Sequence, residues 1–87
     1  MASIEEVKAA LMQTVEQGNT TLNQIRVAAE NTEQMLSRLR MVASGTNHAK
    51  IAEAIVRAEQ SKQRLAEAAT LIQGSSAAAR EYVAVLG

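Results

Sequence analysis

The stretch MVASGTNHAK, residues 41–50, holds the one strong break in a chain whose other residues read as helix from end to end. The chain contains no proline, so the interruption has to come from residues that stop one helix and restart another. Gly45, directly after Ser44, is the residue type that takes the left-handed conformation ending a helix. Asn47, with Thr46 as the alternative, carries a short polar side chain suited to cap the next helix. Because stop and start chemistry stand on opposite sides of the break, a turn is favoured over a single helix kinked at glycine. The reading is one domain over residues 1–87, with helix one over about 4–43, a turn over about 44–47 and helix two over about 48–85. Two helices of about 40 residues, each roughly 60 Å long, joined by so short a turn must run antiparallel.

Outward from the turn, both segments keep one period. Ser3 followed by Glu6 in SIEE is a capping box, and Glu5 and Glu6 suit the positive end of a helix dipole. From Ile4 the apolar or small residues Leu11, Gly18, Ile25, Thr32 and Leu39 form one heptad row, and Val15, Leu22, Ala29, Leu36 and Ala43 the other. A neighbouring row of Val7, Thr14, Thr21, Ala28, Met35 and Val42 widens the stripe beyond an isolated two-stranded seam. In helix two the rows are Ile51, Ala58, Leu65, Ile72, Ala79 and Leu86, and Ile55, Lys62, Ala69, Ser76 and Val83. Arg26 with Glu30, and Glu53 with Arg57, stand four residues apart as solvated pairs. The methionines Met12, Met35 and Met41 sit in or beside the stripe and read as core filler. The fold class is therefore all-α, an antiparallel two-helix hairpin, with a stripe broad enough to pair into a four-helix bundle.

Facing residues follow from a turn centred near Gly45 and Thr46: Leu36 is set against Ile55, Leu39 against Ala52, Leu22 against Ala69, and Gly18 near Gly74. Each interior glycine costs a helix about 1 kcal/mol against alanine, so the pair is expected to mark close helix approach, with Ser75, Ser76 and Thr14 around it; a hinge or partner notch is the alternative. Lys62 falls in a seam row, where an unpaired ammonium is costly. Its head is expected to reach solvent or a carboxylate such as Glu33. Near the C-terminus, Tyr82, Val83, Val85 and Leu86 make the helix apolar almost all round, leaving a face beyond what Ile4, Val7 and Leu11 can cover.

Composition narrows the function. Nine basic and nine acidic residues, dispersed singly, give no electrostatic footprint for nucleic acid. No run of 18 apolar residues is present, which argues against a membrane span, and the N-terminus lacks the pattern of a Sec-type leader. Cysteine is absent and His48 is the single histidine, so no disulfide or thiolate/imidazole metal site supports so small a core. No Ser or Thr has a base to activate it, His48 reads as a solvated residue of the first turn of helix two, and Glu30 and Glu33 read as outward-facing charges. No enzyme, cofactor or metal is expected.

Small cysteine-free hairpins centred on a glycine turn resemble the WXG family of type VII secretion substrates and the related hairpin modules of bacterial toxins. Ala43, Ser44 and Gly45 stand at the position of the family's Trp-Xaa-Gly, with its glycine present and alanine in place of tryptophan. Tyr82 is followed at the fourth position by Leu86, where the family's Tyr-x-x-x-Asp/Glu signal has an acid. The resemblance implies a partner-type hairpin that pairs with itself, a related hairpin, or a larger toxin or secretion substrate, as a dimer or higher oligomer. It implies a cytoplasmic protein with a Sec-independent route of export. The alternative is a cytoplasmic coiled-coil scaffold or regulatory module. The candidate partner-interface residues are Leu11, Gly18, Leu22, Ile25, Leu36, Leu65, Ile72, Gly74, Tyr82, Val83 and Leu86, with Ser44, Gly45 and Asn47 in the turn.

Overall fold

A computed structural model describes residues 2–87. Two helices, α1 (Ile4–Ser44) and α2 (Ala49–Leu86), run antiparallel and pack along their length in a rod 63 Å long. The chain is all-helical, with no strand among the described residues.

Local chemistry accounts for the helix ends. Ser3 is the N-cap of α1, and its hydroxyl accepts a hydrogen bond from the Glu6 N–H at 3.1 Å. Glu5 and Glu6 occupy the first turn, where the dipole favours negative charge. Polar residues inside the helices satisfy themselves: the hydroxyls of Thr14, Thr21 and Thr32 donate to the carbonyls four residues back, at 2.9, 2.9 and 2.7 Å. Threonine therefore sits mid-helix without an unmet hydroxyl.

The turn departs from the sequence reading in two respects. Gly45 ends α1 with φ −106° and ψ −1°, a right-handed conformation that residues other than glycine also adopt, and its N–H bonds back to Val42. A tight last turn closes the helix without a left-handed residue, and the only positive-φ glycine among the described residues is Gly87. The cap of α2 is His48, in place of Asn47 or Thr46. Its Nδ1 accepts from the Lys50 N–H at 3.1 Å, and Thr46 Oγ1 accepts from the His48 N–H at 3.3 Å. His48 lies just outside the helix, and its ring nitrogen does what a short carboxamide would have done one residue earlier.

The core is small and concentrated at two levels. Val15 and Ser76 are buried toward the open end, and Leu36 and Ala58 toward the turn, with Leu36 the one large side chain fully enclosed among the described residues. At the open end Lys8 Nζ donates to the Gly87 carbonyl oxygen, which ties the end of α2 to α1 and sets a cation at a helix C-terminus. The methionines do not fill this core: Met12, Met35 and Met41 are all exposed. Two helices have no enclosed space for a third row of side chains, so residues flanking the seam remain at the surface.

Candidate interaction surface

The expected contact of Gly18 with Gly74 does not form. A Cβ added to Gly18 would lie 2.5 Å from Ser76 Oγ and 3.8 Å from Ile72 Cγ2, so Gly18 is where the two helices come close. A Cβ added to Gly74 would meet nothing within 4 Å. Helical geometry gives the reason. Ile72 and Ser76 are four apart and share the seam, whereas Gly74 is two residues from each and projects from the opposite side of α2.

Between the two buried levels the helices leave an open groove of about 590 Å³, floored by Leu22, Ile25, Ala29, Leu65 and Ala69. Alanines opposite larger side chains leave the space unfilled. Asn19, Asn23, Arg26, Lys62 and Gln73 stand at its polar rim. Arg26 bonds the Asn23 side-chain oxygen at 2.6 Å, rather than pairing with Glu30 as its spacing suggested. Glu53 does pair with Arg57, at 3.0 Å, and also with Lys50, at 3.0 Å.

One edge of the hairpin, toward the turn, carries a chain of four charges. Arg40 approaches Glu33 at 3.7 Å and Glu59 at 3.5 Å, and Lys62 pairs with Glu33 across the helices. Glu33 therefore pairs with one cation of its own helix, Arg40, and with Lys62 of the facing helix, and is not the outward-facing charge expected. Of the two outcomes expected for the Lys62 head, solvent or a carboxylate, the carboxylate of Glu33 is the one that forms. The Lys62 hydrogen bond and charge hold the Glu33 carboxyl below the usual carboxylate range; partial desolvation opposes this and the Arg40 charge adds to it. A depressed folded-state pKa stabilises the fold above the ordinary carboxylate range, and that contribution disappears as pH falls through the folded value. All four groups are about half exposed, so solvent screens them and the effect is small. Glu33→Gln is expected to flatten the acid limb of a thermal-melting profile taken from neutral pH downward, and Lys62→Leu to leave the midpoint at neutral pH unchanged or raised. A fall of several degrees in the Lys62→Leu midpoint would show that the lysine is required for packing.

The other expected interface residues divide by exposure. Leu11, Leu22, Ile25, Leu65, Ile72, Val83 and Leu86 are half-buried along the seam, each with part of its surface still open. Leu36 has no free surface to offer a partner, because its own hairpin encloses it, and Gly18 is occupied by Ser76. Gly74 and Tyr82 are exposed, as are Ser44, Gly45 and Asn47 in the turn. Val85, in the C-terminal stretch expected to leave an open face, is 79% exposed, and sequence reasoning passed over Leu71, at 75% the next most solvent-accessible of the large apolar side chains. The available signal was the spacing of Leu71 from Gly74 and Ala78, on the side of α2 away from the seam.

No cluster of three His, Cys, Asp or Glu residues arranged to hold a metal ion occurs among the described residues. No described helix is long and apolar enough to cross a membrane. No family model matches the chain, and neither a curated protein nor a solved structure does.

Proposed function

We propose that this chain is a non-enzymatic helical-hairpin interaction protein that pairs with itself or a related hairpin to form a four-helix bundle. The observation that carries the reading is the imbalance between core and surface. One large side chain, Leu36, is fully enclosed, while Ile4, Met12, Val27, Met35, Met41, Val42, Val56, Leu71, Tyr82 and Val85 are exposed. A domain this small reaches useful stability by burying such residues against a partner, since it has neither disulfide nor histidine/cysteine metal site to replace them.

A role beside a type VII export substrate or toxin is the finer part of the proposal. It is supported by the hairpin architecture, by Gly45 at the turn and by Tyr82 near the end of α2. Sedimentation across the micromolar range tests the broader claim. The expected result is a concentration-dependent dimer or tetramer; a compact, stable, fully helical monomer at every concentration would overturn it.

A further inference from the structure

We propose that His48 makes the turn a pH-sensitive latch: its neutral imidazole closes the first turn of α2, and protonation releases that turn. The latch belongs to the hairpin itself and needs no partner.

The cap is built on an atom that changes its hydrogen-bonding sense. His48 stands just outside the helix at φ −64° and ψ 134°, and its carbonyl accepts from the Ile51 N–H at 3.0 Å. Its Nδ1 accepts from the Lys50 N–H at 3.1 Å, so the capping tautomer carries its proton on Nε2. The Lys50 N–H is one of the donors that an α-helix leaves without an internal partner. A protonated imidazole has hydrogen on both nitrogens and can only donate. The capping bond therefore exists only while His48 is neutral, and histidine is the side chain whose charge changes between about pH 5 and 8. The start of α1 has no such dependence, because there the acceptor is the Ser3 hydroxyl.

Charge acts in the same direction. An imidazolium at this position sits at the positive end of the α2 dipole, two residues before Lys50, and the first turn of α2 holds no acidic residue to offset it. The nearest carboxylate along α2, Glu53, is already bound to Lys50 and to Arg57, each at 3.0 Å. The last turn of α1, Met41 to Ser44, contains no ionisable side chain and so supplies no counter-charge.

The release is local. The first turn of α2 carries the half-buried Ile51 and one end of the Lys50–Glu53 pair. The packed level at Leu36 and Ala58 lies about two turns farther along and holds the helices together without the cap. Acidification through the histidine range thus loosens the turn end of the rod and leaves the rest of the hairpin paired.

Amide exchange followed by NMR tests the latch. Protection of the Lys50 and Ile51 amides, corrected for the pH dependence of intrinsic exchange, is expected to fall about fivefold between pH 8 and pH 5, the loss of one N-cap. The fall should share its midpoint with the His48 ring-proton shift, and the Ala58 amide should not follow it. The Glu33 carboxyl, held below the usual carboxylate range, titrates beneath this interval and does not contribute. His48→Asn keeps a short capping acceptor whose charge never changes, so its protection is expected to be equal at both pH values. His48→Ala should show the low value at both. Wild-type protection that stays flat from pH 8 to pH 5, or an equal fall in His48→Asn, would overturn the latch.

Discussion

Leu36→Ala is expected to cost about 2–5 kcal/mol, the largest loss from any single truncation in this chain. Leu36 is 0% exposed, so its removal forfeits the full transfer free energy of the side chain and leaves a void. Lys62 and Arg40 line the open pocket beside Leu36. Those side chains are held at their tips by ion pairs, so collapse around the void is incomplete. A small domain holds about 5–15 kcal/mol in total, and a hairpin with so few buried residues belongs at the low end. Urea or thermal unfolding followed by circular dichroism should show the variant largely unfolded near physiological temperature. Leu71→Ala provides the contrast: an exposed leucine removed from the isolated hairpin should change stability by less than about 0.5 kcal/mol. If the two truncations cost the same, the packed level near the turn is not what holds the helices together.

Gly18→Leu is expected to destabilise the hairpin by about 1–3 kcal/mol, because a branched side chain must be placed where one methyl already collides with Ser76 Oγ. Gly18→Ala tests the same contact more finely. Alanine contributes up to about 1 kcal/mol of helix propensity, but its Cβ displaces a hydroxyl on a residue that is only 6% exposed. The colliding atom is the tip of a short side chain, so Ser76 can turn away, and the net change should be close to zero. Ser76→Ala removes the obstructing oxygen. In that background Gly18→Ala should recover most of the propensity gain, giving a coupling of roughly 0.5–1 kcal/mol in a double-mutant cycle. A Gly18→Ala variant that is fully stabilised with Ser76 intact would mean that the helices are farther apart at this level than the structure places them.

Much of the architecture was legible along the chain. Ser3 and Glu6 announced the start of α1, the heptad rows named the seam that Val15, Leu36, Ala58 and Ser76 occupy, and the position of Lys62 in that seam called for solvent or a carboxylate such as Glu33. Each of these follows from the period of the α-helix and the chemistry of its ends, which are properties of a few neighbouring residues. What the period could not supply was the placement of one helix against the other. Gly18 and Gly74 stand at similar heights on paired helices, yet only Gly18 faces the partner helix, because a two-residue step from Ile72 turns Gly74 through more than half a revolution. The choice of His48 over Asn47 as cap, the right-handed closure at Gly45, and the exposure of Met12, Met35 and Leu71 are of the same kind. They depend on where the four residues between the helices, Gly45 to His48, set the second helix down and on which side chains meet there. Apolar periodicity shows that a side chain prefers to be covered; whether a neighbour arrives to cover it depends on packing between segments distant in sequence.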